Sequence, residues 1–431
     1  MSSSAAIAEP ASVKGWCPGA LRPMQTGDGL IVRVRPRCGA LSVSQMLAVS
    51  EVARRHGNGL IDLTRRANLQ IRGVDARDLP SLWAALSECG LIDAHADAEA
   101  VRNVMVIPLT GIDATEVCDV RPIAARLEAA LAETPALWAL PGKFGFVVDG
   151  GGLLSLDGER ADIRLKAFHA EGGIRIAIGI DTTQGTQWLR LLDPEATHAA
   201  AVRLATAFVA LPKSQPRARM RDLDPSGVGV LREVLARCGA PAGDLPSVNA
   251  GACKRVGLIE TRGSIVAVGV GAPFGRLTVR GLTRIAETAA ELGVAAFRLS
   301  PWRVLYAPVT GSREASILLD TARAGGLVTA ADDPLLAIDA CPGAPACRSA
   351  SADTRAVALR IAAMMPLPGV TSVHVSGCAK GCARSRAADL VLVAGPKGLG
   401  IVRNGSAAAS PNAFVAPDDL HDLPAILRPG G

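Results

Sequence analysis

The sequence of 431 residues is poor in aromatic side chains, with five tryptophans, one tyrosine and seven phenylalanines. Proteins that bind single-stranded nucleic acid stack its bases on exposed aromatic rings, so this scarcity argues against that function. The formal net charge of +6 is spread along the chain. We therefore expect no nucleic-acid partner, and the positive charge suits a small polyanionic molecule better.

The sequence also lacks long hydrophobic runs. No apolar stretch approaches the roughly 20 residues that a membrane-spanning helix requires. The N-terminal segment MSSSAAIAEPASVKGW has neither a basic start nor an apolar core, so no secretory signal is predicted. These absences predict a cytoplasmic protein without a membrane partner. A chain of this length should fold as two or more domains.

Ten cysteines are present, and in a cytoplasmic chain such thiols indicate metal binding, catalysis or burial more often than disulfides. Most of the scattered ones are interpreted as small core residues. Four form two pairs, Cys341 and Cys347 in ACPGAPACRS and Cys378 and Cys382 in SGCAKGCARS. The glycines and prolines around both pairs allow the backbone to wrap a compact inorganic centre. The pattern favours a [4Fe-4S] cluster, with structural zinc and unliganded thiols as the alternatives.

An internal repeat organises the chain. Residues 39–43 and the segment after them match residues 275–279 and their continuation, with Leu69 and Leu305 keeping the same separation of 236 positions. Each copy contains a strand, an amphipathic helix and a second strand, and the predicted strands are 30–35, 60–64, 265–270 and 296–300. One copy is too small to bury its own sheet, so we expect the two copies to pair about a pseudo-twofold axis.

A second matching pair of segments extends the duplication over nearly the whole chain. VRPIAARLEAAL (120–131) is similar to TRAVALRIAAMM (354–365), and both have helical periodicity. A junction between the two halves is predicted near 240–246, which is rich in proline and glycine. Only the second half carries the four paired cysteines.

Four motifs together resemble the sirohaem-dependent sulfite and nitrite reductases: DLTRRANLQIRG (62–73), RNVMVIPLTGID (102–113), LPGKF (140–144) and the cysteine pairs. The resemblance implies a duplicated α+β fold with two paired ferredoxin-like half-domains and two larger α/β domains. The implied bounds are 20–95 and 250–325 for the half-domains, 96–240 for a tetrapyrrole-binding domain and 326–431 for the cluster domain. It also implies that Cys341, Cys347, Cys378 and Cys382 ligate the cluster, with Cys382 standing where the reductases' thiolate bridges to sirohaem iron.

The reductases surround a small oxyanion with two arginines and two lysines, because removing its oxygens as water requires positive potential and protons. Arg66, Arg102 and Lys143 match three of these cations, and the resemblance implies catalytic roles for them. Gly145 stands at the position of the second lysine. The missing cation predicts a poor sulfite site, and the glycine creates space for a bulkier substrate.

One branch of this superfamily, the precorrin-3B synthases of aerobic cobalamin synthesis, has such a substrate. CPGALRPMQTGDGL (17–30) and LPGKFGFVVDGGG (140–152) resemble its sequences. The resemblance implies a monooxygenase that hydroxylates precorrin-3A at the C20 meso position with one atom of dioxygen and closes a γ-lactone from the ring A acetate. A sulfite or nitrite reductase, which alone would need sirohaem, and a non-catalytic cluster-bearing binding protein are the alternatives.

Arginines of the first half suit a polycarboxylate, because each guanidinium offers a fork of donors. Arg33, Arg35 and Arg37 alternate in LIVRVRPRCG, so a strand could project all three from one face. We predict that Arg33, Arg35, Arg72 and Gly145 contact the substrate. A solvated strand face is the alternative interpretation of Arg33 and Arg35.

The oxygen chemistry needs a further centre, because a cluster saturated by cysteines has no open position for dioxygen and relays electrons instead. The resemblance implies a mononuclear non-haem iron, but the six histidines show no two-histidine, one-carboxylate spacing. Asp149 is either a carboxylate ligand or a turn former. No GxGxxG follows a predicted strand, so a separate NADH-dependent electron donor is expected.

Overall fold

The computed structural model of the chain describes residues 17–212, 218–243, 245, 253–384 and 386–428. The segment 1–16, in which no secretory signal is predicted, and part of the predicted junction lie outside these residues. The described part of the chain divides into two compact units, the first between positions 18 and 336 and the second made of Cys17 and the described residues from 337 onward. No helix in the described ranges is long and apolar enough to cross a membrane.

The first repeat forms an antiparallel sheet with helices on one face. Its elements are β1 (Met24–Thr26), β2 (Gly29–Val34), β3 (Ala40–Ser42), α1 (Val43–His56), β4 (Leu60–Leu63), β5 (Leu69–Val74) and α2 (Leu79–Glu88). Ser42 caps the N-terminus of helix α1. Its Oγ accepts a hydrogen bond from the Gln45 amide at 3.1 Å, while the Gln45 side chain accepts one from the Ser42 amide at 3.0 Å. This capping box provides hydrogen-bond acceptors for two backbone amides at the start of α1 that would otherwise be unpaired.

The segment after the first repeat forms a larger mixed sheet covered by helices. Its elements are α3 (Ala96–Val101), β6 (Val104–Val106), α4 (Arg121–Glu133), β7 (Phe146–Asp149), β8 (Ile163–Ala170), β9 (Gly173–Thr182), β10 (Gly185–Leu192), α5 (Thr197–Ala210), α6 (Pro225–Val234) and β11 (Ala240–Pro241). Strands β6, β7 and β8 are parallel, and β9, β10 and β11 continue the sheet antiparallel. Helix α4 confirms the helix predicted at 120–131.

The second repeat follows the order of the first. Its elements are β12 (Gly257–Thr261), β13 (Ser264–Gly271), β14 (Arg276–Thr278), α7 (Val279–Glu291), β15 (Ala296–Leu299), β16 (Val304–Pro308) and α8 (Ser312–Ala324). Equivalent elements of the two repeats are separated by 236 positions. This separation relates β3 to β14, β4 to β15, and the first residue of α1 to the first residue of α7. The repeat predicted from the sequence is therefore a repeat of structure.

The two repeats exchange one short strand. Strand β14 of the second repeat pairs with β4 of the first, and β3 of the first pairs with β15 of the second, so the sheet orders are β1-β2-β5-β4-β14 and β12-β13-β16-β15-β3. Each exchanged strand covers an edge that would otherwise expose unpaired backbone groups. Apolar residues of both repeats then form a single core, in which α1 packs against α7. The predicted pairing of the two copies is confirmed.

The duplication extends to backbone positions of unusual conformation. Cys38 and Phe274, which are 236 positions apart, both have positive φ angles (49° and 54°), and so do Ala67 and Arg303 (52° and 64°). Non-glycine residues adopt this left-handed conformation rarely, because Cβ crowds the backbone. Its recurrence at equivalent positions shows that both copies preserve the same tight turns.

The second unit carries the four paired cysteines. Its elements are β17 (Ile338–Ala340), α9 (Thr354–Met364), β18 (Val373–Ser376), β19 (Ala388–Gly395), β20 (Gly398–Gly405), β21 (Ala413–Val415) and α10 (Leu423–Ile426). Strands β17, β18 and β19 are parallel, and β20 and β21 are antiparallel additions. The order is that of β6 to β10, with α9 in the place of α4, so the larger domain is also duplicated. The predicted bounds of the four domains stay predictions.

Removing the cap of α1 should destabilise the protein. We expect Ser42→Ala to lower the free energy of unfolding by about 1 kcal/mol, because the first turn of α1 loses its side-chain acceptor. Ser44→Ala is the matched control, since the Ser44 hydroxyl contacts only that of Ser42 among the hydrogen bonds of the described residues. Urea denaturation followed by circular dichroism measures both. Equal stability of the two variants would contradict the capping assignment.

Candidate functional site

One face of the first-repeat sheet is polar, although its other face lies in the apolar core. The apolar side chains at alternate positions belong to the core, whereas Arg33, Gln70, Asp62 and Arg276 occupy the intervening positions. These four residues are aligned in register across β2, β5, β4 and the exchanged β14. We call them the polar row.

Asp62 is the anionic centre of the polar row. It accepts hydrogen bonds from Nη1 of Arg72 at 3.1 Å and from Nε of Arg276 at 3.0 Å. Arg72 is 2% exposed, and its other edge binds Asp28 through Nε at 2.9 Å and Nη2 at 2.7 Å. Arg72 is therefore neutralised by two carboxylates, and its predicted contact with substrate stays a prediction.

The three arginines of LIVRVRPRCG do not form the expected ladder, because strand β2 ends at Val34. Only Arg33 lies on the strand, where it is 8% exposed. Arg35 is buried beyond the strand end and donates to the side chain of Asn103, with Nε 3.5 Å from Oε1 of Glu99. Arg37 lies in a 3₁₀ turn and binds Asp93 at 2.7 Å.

Arg102 is held by two carboxylates and one carbonyl. Its side chain donates to Asp93 through Nε at 3.1 Å and Nη2 at 2.7 Å, and Nη1 lies 3.6 Å from Oε2 of Glu128. Nη2 also donates to the backbone carbonyl of Arg35 at 2.9 Å. Arg102 is 4% exposed, so its direct role is to fix the backbone that carries Arg35.

Arg66, Lys143 and Gly145 lie close together, and their predicted roles stay predictions. Nη2 of Arg66 donates to the backbone carbonyl of Lys143 at 2.7 Å, and the side chain of Lys143 is exposed. A Cβ atom placed on Gly145 would lie 3.3 Å from Nη1 of Arg66 and 3.5 Å from the carbonyl oxygen of Asn103. The absence of a side chain at position 145 therefore makes room for the Arg66 guanidinium.

A buried ion pair fixes this turn. The Gly145 amide donates to Oδ2 of Asp162 at 2.9 Å, and Asp162, which is 1% exposed, forms an ion pair with Arg219. The Met220 amide donates to the other oxygen of Asp162 at 3.1 Å. Sequence reasoning missed Asp162 and Arg219, because 57 positions separate them and neither lies in a motif.

The four paired cysteines lie in two loops that follow neighbouring parallel strands. Cys341 follows β17 and Cys378 follows β18, so both loops leave the same edge of the sheet. The Gly377 amide donates to Sγ of Cys341 at 3.2 Å, which joins the two loops directly. Burial, followed by the charges of Cys378, Cys341 and Cys347, raises the pKa of the Cys382 thiol, so the four sulfurs share one neighbourhood.

This donor set fits a cluster better than a single ion. Within the described ranges, no three histidine, cysteine, aspartate or glutamate side chains are grouped as ligands of one metal ion. A tetrahedral zinc site draws four sulfurs around one atom, whereas a [4Fe-4S] cluster binds them at its separate corners. The same finding gives no support to any ligand set for a mononuclear iron in that part of the chain.

A salt bridge closes the two cysteine loops. Nη1 of Arg384 lies 3.2 Å from Oδ2 of Asp339, so a residue two positions after Cys382 binds one two positions before Cys341. Asp339 also pairs in register with His374, which is fully buried on β18. The Arg384–Asp339 salt bridge therefore links the segments that flank Cys382 and Cys341 through side chains other than the cysteines.

In the first unit, the strand that corresponds to β18 ends in a carboxylate. Asp149, the last residue of β7, accepts hydrogen bonds from the amides of Gly151 at 2.8 Å and Leu156 at 2.7 Å and from the Ser155 hydroxyl at 3.0 Å. Burial raises its pKa, and the two amides oppose that shift. These contacts are those of a turn former, which was one of the two interpretations of Asp149.

Comparisons with known proteins agree with this architecture. The sequence profile of the nitrite/sulfite reductase ferredoxin-like half domain matches residues 22–89, and that of the nitrite and sulphite reductase 4Fe-4S domain matches residues 97–300. A precorrin-3B synthase of Sinorhizobium sp. is 34% identical over 93% of this chain and 85% of its own length. The chain belongs to the nitrite and sulfite reductase family.

More distant members of the family align over similar lengths. A ferredoxin–nitrite reductase of Synechococcus elongatus is 26% identical over 86% of this chain and 77% of its own length. The structure of the Mycobacterium tuberculosis NirA protein superposes with a TM-score of 0.75 at 21% identity, covering 93% of this chain and 82% of that one. The predicted fold is thereby confirmed. The 4Fe-4S profile match ends before Cys341, so the assignment of individual ligands stays a prediction.

Loss of one paired cysteine should abolish the cluster. We expect Cys378→Ala, and equally a change of Cys341, Cys347 or Cys382, to remove iron and acid-labile sulfide from anaerobically purified protein and to reduce its solubility, because cluster binding contributes to folding. Cys89→Ala and Cys238→Ala are controls and should retain both elements. Iron and sulfide in Cys378→Ala at the unmutated level would show that the ligand assignment is wrong.

Arg102 should matter for stability as well as for activity. Arg102→Ala would remove the cation that binds the buried carboxylates of Asp93 and Glu128. We therefore expect the free energy of unfolding to fall by about 3–5 kcal/mol. Arg37→Ala is the matched control, because it removes the half-exposed partner of Asp93 and should cost less than about 1 kcal/mol. Denaturant titration compares them. If Arg102→Ala were as stable as Arg37→Ala, the ion-pair network would not have the structural role assigned to it.

Proposed function

We propose that this oxidoreductase is a precorrin-3B synthase, a monooxygenase of aerobic cobalamin biosynthesis. The observation that carries the proposal is the 34% identity to the Sinorhizobium precorrin-3B synthase over 93% of the chain, against 26% or less for the nitrite and sulfite reductases that align over 84–86% of it. Gly145 supports it, because the position holds no cation for a small oxyanion. The arginine-rich polar row supports it as a surface for carboxylates.

The proposed reaction converts precorrin-3A and dioxygen into a product hydroxylated at C20 that bears a γ-lactone. One oxygen atom enters the substrate and the other leaves as water, so two electrons and two protons are consumed. A [4Fe-4S] cluster held by Cys341, Cys347, Cys378 and Cys382 would supply the electrons singly. We propose that they come from a separate NADH-dependent donor protein.

The residues of the first unit bind and orient the substrate in this proposal. Arg66 is held on the carbonyl of Lys143 and presents positive charge beside Gly145. The exposed ammonium of Lys143 is the cation best placed to reach an acidic arm or to deliver a proton. Arg102 acts through the backbone of Arg35, so its contribution is positional.

Two further parts of the proposal rest on the family branch. A mononuclear non-haem iron would activate dioxygen, but no step is assigned to it, because the described residues offer no group of three ligands. A cytoplasmic location is proposed because none of the ten cysteines forms a disulfide, as expected of a reducing compartment.

A sirohaem-dependent sulfite or nitrite reductase is the second candidate, favoured by the match of Arg66, Arg102 and Lys143 to the cation cage. Absorbance of anaerobically purified protein separates the two. A sirohaem enzyme should show strong macrocycle bands and reduce sulfite or nitrite, whereas the proposed enzyme should show only the broad cluster shoulder. It should also convert precorrin-3A when given dioxygen and a reductant. Failure of that conversion by cluster-loaded protein would overturn the proposal.

Filling the space at position 145 should slow turnover. Gly145 does not need a positive φ, so Gly145→Lys is compatible with the backbone, but its side chain would displace the Arg66 guanidinium, which lies beside the Cβ position and is proposed to bind the substrate. We expect normal iron content and precorrin-3A conversion at least about tenfold slower, a loss of roughly 1.4 kcal/mol of transition-state stabilisation.

Gly145→Ala is the graded control, since its Cβ alone needs a shift of a few tenths of an ångström by the Arg66 side chain. It should convert precorrin-3A faster than Gly145→Lys, and Lys143→Ala should be slower than the unmutated protein. Unchanged product formation by Gly145→Lys would remove the argument for a bulky substrate at this position.

A further inference from the structure

Arg276 reaches the first repeat only through the exchanged strand. It lies on β14, which belongs to the second repeat in sequence but forms the edge of the first-repeat sheet. Its register partner is Asp62, 214 positions earlier in the chain. The second copy of the repeat therefore contributes a charged side chain to the polar row of the first.

The guanidinium of Arg276 is engaged along one edge. Nε lies 3.0 Å from Oδ1 of Asp62 and Nη2 lies 3.4 Å from Oδ2 of the same carboxylate. Among the hydrogen bonds and ion pairs of the described residues, none involves Nη1. The Arg276 side chain is 22% exposed, whereas that of Arg72 is 2% exposed. Arg276 is thus more accessible than Arg72, and its Nη1 donors remain for a second carboxylate.

Guanidinium groups are prominent on this face. Arg33, Arg72 and Arg276 lie on it, where Asp28 and Asp62 bind Arg72 and Asp62 also binds Arg276. The carboxylate of Asp62 orients Arg276 without consuming all of its donors. A pre-oriented guanidinium loses less side-chain entropy when it binds an acidic arm.

The second repeat provides an internal comparison. The residues 236 positions from the polar row are Gly269, Tyr306, Arg298 and Ala40, which are likewise aligned across β13, β16, β15 and β3. Tyr306 is fully buried there, and the exchanged strand carries alanine where β14 carries arginine. The fold and the strand exchange therefore do not require a charged residue at this position.

We propose that Arg276 binds a carboxylate of the tetrapyrrole substrate, in concert with Arg33 of the polar row; this inference rests on the proposed function. Recognition then depends on both copies of the repeat, because the exchanged strand completes the binding face. The ligand class is a tetrapyrrole with several acidic arms. The planar guanidinium of Arg276 is suited to it, because one edge binds Asp62 and the other can donate to a carboxylate of the ligand.

The test is equilibrium binding to the full-length, cluster-loaded protein under anaerobic conditions. The probes are precorrin-3A and uroporphyrin III, a stable tetrapyrrole with acetate and propionate arms. We expect Arg276→Ala to raise the dissociation constant about tenfold, the effect of one lost charge-assisted hydrogen bond. The loss should shrink as salt is added. Arg280→Ala is the matched control, because Arg280 is exposed on α7 and its removal changes the net charge by the same amount. We expect this variant to change the dissociation constant by less than about twofold.

Arg276→Lys keeps the positive charge and the strand but lacks the second row of donors of a guanidinium, so we expect the dissociation constant to rise about threefold. This variant is the one compared with the unmutated protein if Arg276→Ala is unstable. Binding by Arg276→Ala equal to that of the unmutated protein, or equal losses in Arg276→Ala and Arg280→Ala, would overturn the inference. Either result is compatible with precorrin-3A turnover by the unmutated protein. Tight, Arg276-dependent binding without any turnover would instead support the inference and overturn the proposed monooxygenase function.

Discussion

The exposed edge of a short antiparallel sheet is the constraint from which this structure follows. Each repeat alone would leave β4 or β15 with unpaired backbone groups, and each repeat resolves this by accepting a strand from the other. The exchange brings α1 against α7 and merges the apolar faces of both sheets into one core. It also decides which side chains can meet on the opposite face, because residues of β14 are aligned with those of β4.

Duplication has given the protein two similar backbones with different chemistry. The half-domains share their turns and caps, yet one sheet face holds an arginine–aspartate network and the other holds Tyr306. The larger domains share their strand order, yet the loops after β17 and β18 carry thiols, whereas the turn after β7 is filled by Asp149 and its backbone partners. The candidate site draws on the arginine–aspartate network of the first half-domain and on the thiols of the second larger domain.

Much of the fold could be predicted from the sequence because the repeat places periodic apolar residues at a constant separation, and because the four motifs resemble one known family. The four strands predicted in the two repeats agree with β2, β4, β13 and β15 within one residue at each end, and a helix follows the first strand of each copy as predicted. The site was less accessible. Arg35 and Arg37 were expected to extend a strand, but the backbone turns after Val34 and sends each to a different acidic partner. Asp162 with Arg219, and Arg276 with Asp62, are pairs distant in sequence, so no local pattern reveals them. A difference in charge between equivalent positions of the two copies, arginine at 276 against alanine at 40, was the one available signal.

The distance in sequence between β4 and β14 has a consequence for synthesis of the chain. The ribosome completes β4 more than 200 residues before it produces the strand that pairs with it, as the 214 positions between Asp62 and Arg276 show. During that interval the nascent first repeat presents an open edge, and only its local contacts are available. Closing the sheet is therefore a late event in translation. A chain interrupted before β14 would expose the unpaired edge of β4. That edge could pair with any strand of matching register, including one from another nascent copy.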